Sequence, residues 1–473
     1  MSETSTSTLD ELFAAQKHAF AAETYPTLEV RLDRLRRLET CLVRNRKPIQ
    51  DALIADFGTH HPLATDLFET GGVLGRNRTI QAMLPEWMGD SERPLLDLVH
   101  GSSKARVIRQ PKGVMGNIAP WNFPIECALV MVNEMLGAGN RVIVKASEFT
   151  PVTGALLAEI IAEAFDRSEL AVVNGGIELS RYFSALPWDH LTYTGGAAAA
   201  RSIMAAAAPN LTPLTLELGG KNPTVFLPEA VEPGLVERYL YFRIFKGGQV
   251  CTSPDYAMVP RSQMAEWVTL AKAQWSKMYP HYVGHPDATG TINRRHFDRI
   301  LGYVEEARAA GVEVVSLNGD EPDPETLQIP MYAVIDPPGH LAVSQDEVFG
   351  PVVAVLPYDT LEDAIAEINR RPRPLAAYIA GRDQPRLDQF ARHVIAGGIG
   401  INVFGFQGAE PALPFGGIGA SGMGCHSGIE GFLQYTHQKS VFDCADDNPL
   451  MLALAAPYGD FAQQFADAIF PAA

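Results

Sequence analysis

The stretch RVIVKASEFTPVTGALLAEIIAEAF, residues 141–165, changes its periodicity once, and that change decides the fold. Arg141 to Lys145 carries an unbroken β-branched run, the pattern of a strand covered on both faces. Thr150 and Pro151 then read as the N-cap and first-turn residue of a helix that continues to about Phe165, where proline forfeits no hydrogen bond. Leu170 to Asn174 and Leu191 to Thr194 repeat strand after helix. This alternation implies an α/β chain with an open, mostly parallel sheet and helices on both faces.

Upstream, Arg106 to Gln110 and Gly113 to Ile118 are strand-like runs separated by Pro111. Apolar residues from Leu28 to Phe57 recur at mostly three- and four-residue spacing, predicting amphipathic helices with their arginines on a solvated face. Downstream, a second α/β alternation begins after Gly219. It has strands at Thr224 to Leu227 and Ala257 to Val259, and helices near Val231 to Phe245 and over Ser262 to Met278. Strands near Tyr332 to Ile335 and Val352 to Pro357 follow, with Gly319 to Pro330 as a proline-rich surface loop.

With 473 residues the chain has room for two or three domains. Lys plus Arg 38 against Asp plus Glu 55 gives a formal net charge of −17, which argues against affinity for nucleic acid or anionic membrane. MSETSTSTLDEL lacks the apolar run of a secretory leader, so a cytoplasmic location is the expectation. Five scattered cysteines form no disulfide framework. The run Leu450 to Ala456, closed by Pro449 and Pro457, falls far short of the ~20 residues of a membrane anchor.

Chemistry concentrates in FKGGQVCTSPDY, residues 245–256, where Cys251 stands between Gly247-Gly248 and Pro254. A thiol attacks carbonyls as thiolate, so a nucleophilic role asks for a helix N-terminus or a cation nearby. Glu217 ends a strand-like run in PLTLELGGK, and Asn122 offers an amide donor between the prolines of PWNFP, as an oxyanion would need. Read singly, these are a core thiol, a solvated strand end and a turn residue.

PWNFP (120–124), KASE (145–148), YTGG (193–196), ELGGK (217–221), GQVC (248–251), EVFGP (347–351) and PFGGIGASGMG (414–424) stand in the order and at roughly the spacing of the NAD(P)-dependent aldehyde dehydrogenase superfamily. The chain resembles that family over most of its length, and its ending most resembles the class 3 and coniferyl aldehyde dehydrogenase branch. The resemblance implies a Rossmann-like cofactor domain over 1–216 and an α/β catalytic domain over 217–410. It implies a return segment with a small β oligomerisation arm over 411–473, joined by strands near 99–113, and places Gly113 to Ile118 beside the same arm.

By the same resemblance, Cys251 is the nucleophile, Glu217 the base that activates water, and Asn122 the oxyanion donor. Trp121, Lys145, Glu148, Gly195, Gly196, Glu347 and Phe349 are its cofactor-binding residues. The implied cofactor is NAD, with NADP left open. The substrate is an aldehyde, medium-sized and apolar or aromatic, with Phe404, Phe406 and Phe415 near its tunnel. The assembly is a homodimer, with a tetramer as the second option.

Lys246-Gly247, Thr252-Ser253 and Val403 to Pro411 depart from the usual family pattern beside these motifs. Gly417-Ile-Gly419-Ala-Ser-Gly422 matches G-x-G-x-x-G but lacks the strand before and the helix after that a phosphate loop requires. His281 and His285 are poorly set for a metal, flanked by Pro280 and Gly284, so no metal is expected. Cys425-His426 is a weak rival dyad, since adjacent side chains diverge. A thiol hydrolase without hydride transfer and a catalytically idle binding protein remain as alternative readings.

Overall fold

The computed structural model describes residues 3–470. Two α/β layers carry it, as expected. The first is a six-stranded sheet, ordered Gly422–Met423, Leu214–Leu218, His190–Gly195, Val114–Ile118, Arg141–Lys145 and Leu170–Val173, parallel except for the first pair. The second is a seven-stranded sheet, ordered Val314–Ser316, Tyr332–Ile335, Val352–Tyr358, Tyr256–Pro260, Pro223–Phe226, Ala376–Ala380 and Gly398–Ile401, again parallel after its first pair. A three-stranded antiparallel sheet joins Ser91–Arg93, Lys104–Pro111 and Thr436–Asp443.

Val114–Ile118 therefore lies inside the six-stranded sheet, between Arg141–Lys145 and His190–Gly195, and not in the small antiparallel sheet. All five of its residues are buried, which suits a central strand and not an exposed arm. Pro111 marks the junction because proline cannot donate to a ladder.

The helix read from residues 150–165 spans Pro151–Ala164, but Thr150 does not cap it through its hydroxyl. Asp56, at the end of helix Arg46–Phe57, takes that part, accepting from the amides of Val152 (3.1 Å) and Thr153 (2.7 Å). A carboxylate there also faces the positive end of the helix dipole. Two arginines of helix Leu28–Arg44 depart from the expected solvated face, Arg31 being 0% and Arg34 2% exposed, while Arg36 and Arg44 are exposed. Arg31 donates to the carbonyls of Pro26 and Gly137, while Arg34 bonds Glu169 and Glu23. Paired in this way, a guanidinium can be buried where a lone one could not.

Helix Glu126–Gly137 is buried nearly all round and forms the spine between the six-stranded sheet and the N-terminal helices. Its first turn has no cap of its own. Glu69 accepts from the amides of Ile125 and Glu126 at 3.1 and 3.0 Å. Among the described residues, no helix is long and apolar enough to cross a membrane.

Candidate active site

The Cys251 loop leaves helix Pro233–Ile244 through Lys246, Gly247 and Gly248, all at positive φ. Packing demands the glycine at 248, where a Cβ would stand 2.6 Å from the backbone of Gly350. Far from being flexible, the loop is pinned from three sides. Asn222 Nδ2 donates to the carbonyls of Cys251 (2.7 Å) and Ser253 (2.9 Å) while its Oδ1 accepts from Ala376. Gln249 bonds Lys246, Gly290 and Ile292 through its side-chain amide. Asn122 Nδ2 donates to the Gln249 carbonyl at 3.0 Å, bringing PWNFP against the loop.

Cys251 lies half-buried at a cavity of about 130 Å³. Phe68, Phe123, Phe242, Phe245, Phe406 and Phe415 wall it, with Glu126, Cys127, Glu217 and His426 as its other chemically active groups. Phe404 is absent from that wall: it is fully buried against Phe226, Tyr239 and Tyr378. The thiol also lacks the expected cation. Burial pushes its pKa up, and the carboxyl groups of Glu347, Glu126 and Glu217 add to the rise.

Glu217 comes from strand Leu214–Leu218 and is buried, not solvated; neither of its oxygens finds a hydrogen-bond partner. Burial holds its pKa well above the carboxylate range, opposed only by Arg76. The edge strand Gly422–Met423 backs it, with Gly422 paired to Glu217 itself. The GIGASG run is thus part of that edge.

Lys246, one of the departures, is wholly buried in an ion pair with Glu69, its ammonium 4.2 Å from the Phe123 ring centroid. It stiffens the approach to Cys251 through the same Glu69 that caps helix Glu126–Gly137.

On the other side of the Cys251 loop, a cleft of about 920 Å³ is lined by Gly196, Gly219, Gly220, Lys221 and Glu347. Gly196 stands before helix Ala197–Ala207 with nothing within 4 Å of where a Cβ would be, so a phosphate could approach that N-terminus. Lys145 Nζ holds Glu148 at 2.8 Å at the end of its strand. A Cβ on Gly219 would stand 2.0 Å from Glu347 Oε2, and burial, followed by Asp255, raises the Glu347 pKa to about 8. Lys221 and Val348 fix the segment through Asp255. Phe349 meets Trp121 edge to face at 5.4 Å. Gly196, Gly219, Gly220 and Glu347 lie along this cleft, whereas Gly195, Lys145, Glu148, Trp121 and Phe349 are not among the residues that line it.

Of the remaining sequence candidates, His281 pairs with Asp320 on the surface, and no metal-ligating cluster occurs among the described residues. Cys425 and His426 do part, and only His426 reaches the cavity. Asn222, Gln249, Lys246 and Asp255 position the loop but stood outside the sequence candidates. Only Lys246 left a signal, as a departure beside the cysteine.

The aldehyde dehydrogenase family model matches residues 1–441. Coniferyl aldehyde dehydrogenase of Pseudomonas sp. strain HR199 is 38% identical over 439 residues, covering 92% of this chain and 90% of that protein. Aldehyde dehydrogenase family 3 member H1 of Arabidopsis thaliana is 32% identical over 87% of this chain and 85% of its own. An aldehyde dehydrogenase of Mycobacterium tuberculosis complexed with NAD+ superposes with a TM-score of 0.83 at 28% identity, over 93% and 91% of the two chains.

Proposed function

The chain belongs to the aldehyde dehydrogenase family, and from that premise we propose that it oxidises a medium-sized apolar or aromatic aldehyde to its carboxylic acid, with NAD+ as hydride acceptor. The observation that carries this reading is Glu217, a buried carboxyl with two unpartnered oxygens on the same cavity as Cys251. An acid held there without a partner costs stability, and such a perturbed carboxyl on a cavity marks a group that handles protons or water.

Cys251 releases its thiol proton to solvent and attacks the aldehyde carbon as thiolate, while the free amide hydrogen of Asn122 and the Cys251 N–H donate to the developing oxyanion. NAD+ held along Gly196 and Glu347 would supply the hydride acceptor, and the Cys251 thiohemiacetal, on losing its hydride, would become a thioester. Glu217 then removes a proton from the water that attacks the thioester carbonyl, and the acid leaves as the thiol reforms. Aromatic walls favour a flat apolar substrate and keep bulk water from the thioester. Glu148, at the end of the Arg141–Lys145 strand, accepts from ribose hydroxyls and disfavours a 2′-phosphate, so NAD is preferred over NADP. The exposed edge of Thr436–Asp443 supports a homodimer, checked by light scattering.

NADH formation across a panel of aldehydes tests the reading. The parent should turn over benzaldehyde and cinnamaldehydes better than acetaldehyde, and Cys251→Ala should abolish both turnover and acylation while Cys425→Ala retains them. A thiol hydrolase or an idle protein would give no NADH with any aldehyde.

A further inference from the structure

We infer that His426 sets substrate preference: its Nε2–H donates to an oxygen substituent on an aromatic aldehyde seated in the cavity. This rests on the dehydrogenase reading above. Arg76 Nη1 stands 2.6 Å from His426 Nδ1. A guanidinium only donates, so Nδ1 must be the acceptor and the ring proton must sit on Nε2. The tautomer is locked, because Arg76 is itself buried and held by Glu134 at 3.3 Å.

The ring is wedged as well. Phe415 packs against it at 5.1 Å, and the two residues exchange backbone hydrogen bonds of 2.7 Å in both directions. Burial and the Arg76 charge keep the imidazole neutral. Among the described residues, no protein atom accepts from Nε2, yet the ring lines an otherwise largely aromatic chamber. A fixed donor without an acceptor in such a place leaves a hydrogen bond unmade, and a ligand oxygen can complete it. A site built this way discriminates against the analogue that lacks the oxygen.

The test compares kcat/KM for cinnamaldehyde with its 4-hydroxy and 3-methoxy derivatives in the parent, His426→Phe and His426→Gln. The parent should prefer one oxygenated compound by about tenfold, and the one preferred identifies the oxygen contacted. His426→Phe should lower that ratio about tenfold. His426→Gln should restore it to within about threefold, since an amide can accept from Arg76 and still donate. Calorimetric titration of 4-hydroxy-3-methoxycinnamyl alcohol into Cys251→Ala and Cys251→Ala/His426→Phe, without cofactor, should show about tenfold weaker binding in the second.

No preference in the parent, or equal losses on all aldehydes in His426→Phe, overturns the inference, the second outcome placing the imidazole in the chemistry instead. If His426→Phe fails to fold, the parent ratio and the Gln variant decide. Absence of NADH with every aldehyde defeats the dehydrogenase reading alone, because the binding comparison still judges His426.

Discussion

Glu69 and Glu217 are both interior carboxyls, 0% and 3% exposed, yet their surroundings are opposite. Glu69 meets the Lys246 ammonium with one oxygen and two backbone amides with the other. Glu217 meets no donor at all. The cost of burying the first charge is offset on the spot, and the group holds a helix start and a loop together. The second cost is left standing in the folded protein, on the cavity that Cys251 lines, and the role proposed for Glu217 as proton acceptor would account for it.

The largest effect should separate these two acids by activity. Glu217→Gln should reduce steady-state turnover about 10³-fold while its melting temperature holds or rises, because the unpaired acid is gone. A burst of NADH near one equivalent per site, with an acyl group located on Cys251 by mass spectrometry, would show that attack and hydride transfer survive. A variant that turns over like the parent, or that binds NAD yet gives neither burst nor acyl-enzyme at any pH, would end the role given to Glu217.

Glu69→Gln should invert that pattern, costing about 3–5 kcal/mol in urea denaturation because Lys246 is left buried and unpaired. Replacing both with apolar residues, Glu69→Leu with Lys246→Met, should recover part of the loss, the amides of Ile125 and Glu126 still lacking their acceptor. If the single variant is as stable as the parent, the contrast between the two acids collapses.

Glu347 supplies a pH test of the same kind. Its folded pKa of about 8 lies above the ordinary 4.5, so between these values the native state holds a proton that the unfolded chain has released. This group's contribution is greatest below pH 4.5, falls by up to about 1.4 kcal/mol per pH unit through the window, and is flat above pH 8. Glu347→Gln should remove that slope from stability measured against pH. An unchanged slope would mean that other groups carry it.

The smallest effect concerns a carboxyl that is neither fully buried nor unpaired. Glu148→Gln should shift the ratio of NAD to NADP affinity about three- to tenfold towards NADP, read by titrating each cofactor into the apo protein. Equal affinities in the parent would show that Glu148 turns away from the ribose.

The strands and helices were legible because each is written locally, in a short apolar run, and short motifs singled out Cys251 and Glu217, which the fold brings to one cavity. Both alternating regions came out within a residue or two. What escaped reading depends on groups far apart in sequence. Asp56 caps a helix that starts at residue 151, and His426 takes its tautomer from Arg76. Periodicity placed Arg31 and Arg34 on a wet face, since nothing within one helix foretells that carbonyls and acids from elsewhere will enclose them. Phe404 was misplaced for a related reason: an aromatic near a tunnel in sequence can turn its ring into the core.

The strand that backs Glu217 arrives late. Leu218 donates to Ser421, and Gly422 pairs with Glu217, across the entire seven-stranded sheet that the chain builds in between. Such a contact closes a loop of about two hundred residues, an entropic cost met before the contact repays it. At Gly422 a Cβ would stand 2.1 Å from the Leu216 carbonyl, so only glycine lets the two segments close. A nascent chain halted before residue 420 already carries the cysteine, the acid and both sheets' parallel strands, but lacks the strand that pairs with Glu217. The pairing of Glu217 is in this sense a property of a chain that has reached Gly422, and not of the two parallel sheets that precede it.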